Sequence, residues 1–173
     1  MKKILLVIDM QNDFVDGVLG TQEAVAIVPD VVAKIKEYPL ENIIATRDTH
    51  GDDYMETSEG KHLPVIHCVK DTDGWQLNPS VGEALSGAKI INKPYFGSKE
   101  LVETIGEMTQ TDEIAVELIG ICTDICVVSN AMMLKSALPE MEIVVDSKCC
   151  AGVTPESHEA ALLTMKMCQI TVK

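Results

Sequence analysis

Short apolar runs recur along the chain, separated by stretches with helical spacing. The runs are Ile4–Ile8, Asn42–Ala45, Pro64–Cys68, Lys89–Asn92, Ile114–Ile119 and Ile143–Val145. Most are β-branched and continuous rather than alternating, the pattern of parallel strands buried on both faces. Between them, Ala24–Tyr38 sets Val25, Val28, Val32 and Ile35 on one helical face. Ser98–Met108 opens with a Ser98…Leu101 cap pattern, and Thr123–Leu138 follows the run ending at Ile119. Thr154-Pro155-Glu156-Ser157 joins a capping residue to a proline at the first helical position, opening a helix to about Cys168. Strands alternating with helices predict one domain over residues 1–173. Its class is α/β: a three-layer α/β/α sandwich around a mostly parallel sheet of about six strands, Rossmann-like in plan. The longest irregular stretches are Thr46–Leu63 and Val69–Val81, and loops of that length usually carry function.

Composition removes several classes of partner. A net charge of −13 argues against nucleic acid or an anionic membrane surface, since both recruit basic faces. The apolar run nearest the start, Ile4–Ile8, is far too short for a signal peptide or a membrane span, so a cytoplasmic location is expected. There the six cysteines (68, 122, 126, 149, 150, 168) are expected as reduced thiols, mostly small core residues. Cys122 and Cys126 stand four apart, but no matching Cys or His pair lies nearby to complete a metal clip.

Chemistry concentrates where apolar runs end. In Glu117-Leu-Ile-Gly-Ile-Cys-Thr-Asp-Ile-Cys-Val a strand pattern meets Gly120 and gives way to a helical one, which puts Cys126 in the first helical turn. Ligands of open α/β sheets bind at such carboxyl ends of strands, and unpaired N–H groups with the helix dipole favour a thiolate there. Asp9 directly abuts Ile4–Ile8, which predicts a partly buried carboxylate needing a cation or acting as a base. Asp13, in the same segment, reads as a loop cap. Lys93 ends another run, and Pro94 keeps that strand from continuing as a central one. Singly, each of these has an ordinary reading as a solvated or capping residue. Together, a thiol, a carboxylate and a cation at strand ends of one sheet form a nucleophile, its base and a charge-holding partner.

The histidines suggest a second centre. Asp48 and His50 point to one side of an extended segment, His67 closes the next apolar run, and Glu59 lies in the loop between. Two His with carboxylates suit a borderline divalent ion, and spacing alone leaves a carboxylate-rich loop equally open. Aromatic residues are scarce, and five of the six (Phe14, Tyr54, Trp75, Tyr95, Phe96) fall in strand-end loops. That placement predicts a binding wall for something flat and apolar. No G-x-G-x-x-G follows the first run, so a nucleotide site gains no support.

These motifs resemble a known family. Asp9 in Val-Ile-Asp-Met-Gln-Asn-Asp-Phe, Lys93 in Asn-Lys-Pro-Tyr-Phe-Gly-Ser and Cys126 in Cys-Thr-Asp-Ile-Cys-Val resemble the Asp-Lys-Cys triad of the isochorismatase-like cysteine hydrolases. Asp48-Thr-His50 with His67-Cys resembles the metal site of nicotinamidases within that family, and Glu59 resembles the acidic fourth ligand of some members. The resemblance implies hydrolysis of nicotinamide, or a close aromatic carboxamide, to the acid and ammonia. Asp9 would take the proton of Cys126, Lys93 would steady the thiolate, and a thioester would form and be hydrolysed. It also implies a cis peptide between Cys122 and Thr123 that turns backbone N–H groups, including that of Cys126, towards an oxyanion. One divalent ion is implied, Zn²⁺ first with Fe²⁺ or Mn²⁺ as alternatives, together with a homo-oligomer and no organic cofactor. Asp71 stands where the family usually has Gly. Two other readings stay open: a cysteine amidase for another small amide, and a non-catalytic α/β protein that binds metal or senses redox state through its thiols.

Overall fold

The computed structural model describes all of residues 1–173. Six parallel strands form one sheet in the order β3-β2-β1-β4-β5-β6. They are β1 (Lys2–Ile8), β2 (Ile43–Asp48), β3 (Lys89–Lys93), β4 (Ile114–Ile121), β5 (Glu142–Ala151) and β6 (Thr171–Val172). The helices are α1 (Asn12–Val15), α2 (Gln22–Ile35), α3 (Ser58–His62), α4 (Pro79–Ala84), α5 (Lys99–Met108), α6 (Val128–Ala137) and α7 (Pro155–Met167). No helix is long and apolar enough to cross a membrane.

Both faces of the sheet are covered, which is why its strands read as continuous apolar runs. Ile4, Leu6 and Ile8 of β1 pack with Leu118 of β4 against Leu101, Leu134 and Met165 of α5, α6 and α7. The alternate residues Leu5 and Val7 pack on the other face against Val31 and Ile35 of α2 and Val81 of α4. Each large aliphatic side chain so buried contributes about 1.5–3 kcal/mol. The helix starts follow their caps: Ser98 Oγ accepts from Leu101 N at 3.1 Å, and Thr154 and Ser157 form a reciprocal capping box.

Two strand expectations need correction. Pro64–Cys68 runs extended but joins no ladder; His50 N donates to Cys68 O, and the only bridge nearby is His50 with Val69. Pro64 has no N–H to give, and β3 already pairs with β2. The sixth strand is Thr171–Val172, too short to show a pattern in sequence. The first long helix spans Gln22–Ile35 rather than Ala24–Tyr38, and it buries Ala24, Val31 and Ile35 while Val25 is 49% exposed.

Gly120 fits its place because it lacks a Cβ. Its φ is +118° beside a register shift in the β4–β5 ladder, and a Cβ there would stand 2.1 Å from Ile8 O. Gly120→Ala is expected to cost about 2–5 kcal/mol in chemical denaturation. Gly106→Ala, in α5 with nothing within 4 Å of the new methyl, is expected to be neutral or stabilising. Equal stability of the two variants would overturn this account of Gly120.

Candidate active site

The sheet order changes direction between β1 and β4, and the candidate residues gather there. Asp9 leaves β1 with φ of 47°, its N–H on Thr46 O at 3.2 Å, and its side chain is fully buried. Its Oδ1 accepts from Thr46 Oγ1 at 2.7 Å, and its Oδ2 meets Lys93 Nζ at 2.6 Å. Lys93 comes from the edge strand β3, where it pairs with Asp48 of β2, and its side chain is buried. Its Nζ donates to Tyr95 O at 2.9 Å and lies 3.5 Å from Asp48 Oδ1 and 3.6 Å from Cys126 Sγ.

Cys126 is buried on a π-helical turn, Thr123–Val127, rather than in the first turn of an α-helix. The cis peptide stands at Ile121–Cys122, one bond earlier than expected. Thr123 is fully buried with Oγ1 2.8 Å from His158 Nδ1, and Asp124 accepts from Val153 N at 3.1 Å. Burial, then the Asp9 carboxylate, push the Cys126 thiol well above its usual value, against the opposing pull of Lys93. The start of a helical turn favours a thiolate, but complete burial works against it here. Burial likewise raises Asp9, with Lys93 opposing it. Lys93 is desolvated too, but Asp9, then Cys126 and Asp48, hold its proton in place. Burial thus favours the neutral thiol and the neutral carboxyl, while the Lys93 ammonium pulls both towards their charged forms.

Two positioning side chains escaped the sequence reading. Gln11 is buried; its Oε1 accepts from Asp48 N at 2.7 Å and its Nε2 donates to Asp48 O and Trp75 O. Asn130 donates to Cys126 O at 2.8 Å and to Phe96 O, and accepts from Ser98 N, so it ties the thiol turn to the Lys93–Ser98 loop. The available signals were polar side chains two residues after Asp9 and four after Cys126.

Asp48, His50, Glu59 and His67 offer one ligand atom each within 4.8 Å of one another. Asp48 Oδ2 lies 2.9 Å from His50 Nε2 and 3.8 Å from His67 Nε2, and Glu59 Oε1 lies 3.7 and 3.6 Å from the same nitrogens. His67 Nδ1 faces Val65 O at 2.7 Å, so that carbonyl fixes the tautomer and frees Nε2 for the centre. His50 Nε2 is buried with no aligned hydrogen-bond partner. Two imidazoles and two carboxylates converging on one point, with an orphaned nitrogen among them, fit a divalent ion of the zinc class. Burial works against a charge on Asp48, yet His50, then Lys93, keep its pKa below the ordinary value. Tyr54 stands edge-on to His50 and His67 at 4.7 and 5.0 Å and donates its hydroxyl to Leu63 O, so it walls the centre rather than ligating it.

A cavity of about 280 Å³ joins the two groups, lined by Phe14, Leu19, Ile121, Phe96, His67 and Cys126 among others. A wider cleft of about 510 Å³ reaches His50 and Glu59 from outside. Leu63, Phe96 and Ile125 border both. Of the five loop aromatics, Phe14 and Phe96 face the cavity, Tyr54 backs the histidines, and Tyr95 is 72% exposed at the outer cleft. Trp75 is a correction: it lines neither space. Its Nε1 donates to Thr49 Oγ1, Arg47 stacks 3.6 Å over its ring, and it packs into the core on the α2 face. Asp13 caps a loop as expected, accepting from Cys68 N at 2.8 Å. Asp71 has φ of 67°, the left-handed conformation that Gly adopts freely and Asp adopts at some cost, and it borders neither cavity.

Comparison with known proteins places the chain in a family. The isochorismatase domain family matches residues 3–173. A nicotinamidase/pyrazinamidase of Mycobacterium tuberculosis is 27% identical over 183 residues, covering 97% of this chain and 96% of that protein. A nicotinamidase of Schizosaccharomyces pombe is 27% identical, covering 97% of this chain and 91% of its own. Among solved structures, a pyrazinamidase of Pyrococcus horikoshii in complex with zinc superposes with a TM-score of 0.81 at 26% identity, covering 100% of this chain and 99% of that one. The chain belongs to the isochorismatase domain family, as a nicotinamidase-type hydrolase acting on amide carbon–nitrogen bonds.

Proposed function

We propose that this chain hydrolyses nicotinamide, or a close heteroaromatic carboxamide, to the acid and ammonia through a thioester on Cys126. The observation that carries the reading is the meeting of the Cys126–Asp9–Lys93 trio and the four-ligand centre on one apolar cavity. The distribution of cations favours a neutral substrate. The chain has a single arginine, Arg47, and it is stacked on Trp75, while Lys93 is locked to Asp9. No guanidinium is left to receive a substrate carboxylate.

In this reading Asp9 takes the proton from Cys126 Sγ as the amide settles, and the thiolate attacks the carboxamide carbon. Lys93 balances the charge passing between Sγ and Asp9, and backbone N–H groups of the Thr123–Val127 turn, that of Cys126 included, face the developing oxyanion. Losing one such donor typically raises a barrier by about 2.7–4 kcal/mol. Asp9 then returns its proton to the departing ammonia and serves as base for the water that opens the thioester. An ion held by Asp48, His50, Glu59 and His67 would act as a Lewis acid for a ring nitrogen, anchoring the heteroaromatic end. Phe14 and Phe96 flank the plane of the ring.

Ammonia release from nicotinamide and pyrazinamide tests the reading directly. Metal-replete protein is expected to turn over at least one of them, and stripping the ion is expected to lower turnover about 10–100-fold, with recovery on adding Zn²⁺. His50→Ala is expected to bind well under the about one ion per chain of wild type, read by elemental analysis. No turnover of either amide overturns the substrate assignment. Turnover that survives complete stripping points instead to an amide recognised without the ion.

A further inference from the structure

The turn carrying Cys126 is tethered from outside the site by two contacts from the β5–α7 segment. Asp124 accepts from Val153 N, and Thr123 Oγ1 meets His158 Nδ1 across 35 residues of sequence. The same segment supplies Ala151, Gly152 and Val153 to the cavity wall. Gly152 lies directly under α7, since a Cβ there would stand 2.9 Å from His158 Cβ. Thr123 is fully buried, and a buried hydroxyl needs a partner; its side chain is engaged by His158 alone. His158 thus fixes the first residue of the π-helical turn whose fourth residue is the thiol.

We propose that His158 is a positioning residue for catalysis: through Nδ1 it holds Thr123, and through Thr123 it sets the placement of Cys126 Sγ against Asp9 and Lys93. The proposal rests on Cys126 being the nucleophile. The Asp124–Val153 contact keeps the turn folded when His158 changes, so the effect falls on placement rather than on folding. Misplacement of a reacting group by about 1 Å can cost on the order of 10²-fold in rate.

Chemistry at the histidine supplies the test. An Asn side chain presents its amide near the position of Nδ1 and can donate or accept; a Gln presents it near Nε2. His158→Asn is expected to keep kcat within about threefold of wild type, whereas His158→Gln and His158→Ala lower it about 10–100-fold with KM within about twofold. The rate of Cys126 alkylation by iodoacetamide, followed by peptide mass, is expected to separate the variants in the same order, with Gln and Ala slower. That second readout needs no substrate. If wild type releases no ammonia from any amide, the substrate reading fails while alkylation still decides the role of His158. Equal alkylation in all four proteins, or Asn behaving like Ala, overturns the proposal, whatever the melting temperatures show.

Discussion

Cys126→Ala is expected to abolish carboxamide turnover, by at least about 10⁴-fold, while lowering the melting temperature by only a few degrees. The two effects separate because of where the thiol sits. It is buried among Ile8, Val127 and the apolar core on the α6 face, so removing one sulfur leaves a void costing on the order of 1 kcal/mol. It is also the nucleophile candidate within reach of a cation, 3.6 Å from Lys93 Nζ. Cys122 lines the same cavity and provides the control: Cys122→Ala is expected to keep kcat within about threefold, since that thiol faces the opposite core and lacks the Lys93 contact. Ammonia release and calorimetry on both variants decide the matter. Turnover above about 1% of wild type in Cys126→Ala would place the nucleophile elsewhere.

Lys93→Met is expected to be the most destabilising single change in the site, and its cost is expected to depend on pH. Asp9 and Lys93 are both buried and paired at 2.6 Å. Removing one partner of a buried pair typically costs about 3–5 kcal/mol because the other charge stays behind. Asp9 can escape by taking a proton. Its folded pKa is already raised by burial, with Lys93 the main opposing influence, so losing Lys93 raises it further. The folded protein then binds more protons than the unfolded chain at every pH between the two values, and stability falls as pH rises through that window. The penalty is therefore small near the ordinary carboxyl range and grows towards neutrality. Denaturation of wild type and variant at pH 5 and pH 8 measures it, and a penalty independent of pH would rule out a charged Asp9 as its source. Adding Asp9→Asn to Lys93→Met is expected to recover most of the loss without recovering activity.

The three candidate groups stood out in the sequence because each lies at the end of an apolar run or shortly after it. Asp9 follows Ile8, Lys93 ends β3, and Cys126 lies just past β4. Strand ends are where a parallel sheet has no side chain left to bury, so a polar residue abutting one is conspicuous. Other features were hidden because sequence patterns report neighbours along the chain. Gln11 meets Asp48 across 37 residues, and Asn130 meets Phe96 across 34. Pro64–Cys68 has the composition of a strand, but its place against β2 is taken by β3. Trp75 sits in a loop yet turns to the core, drawn by Thr49 and Arg47. The burial that pushes the Cys126 thiol upward was not visible in its position along the chain, because it comes from elements distant in sequence.

The registers Ile8 with Gly120 and Asp48 with Lys93 have a consequence for how such a protein can change over generations. The ends of β1, β3 and β4 that carry Asp9, Lys93 and the turn of Cys126 are held by strand ladders, not by the lengths of the helical crossovers joining them. The α-to-β connections, such as the one from Met108 to Ile114, lie at the far end of the sheet. Insertions or deletions there are expected to leave the candidate trio in place, while changes in the 94–97 loop are expected to alter which amide fits the proposed site. On the proposed function, the sheet would preserve the reactive groups while the loops vary the substrate.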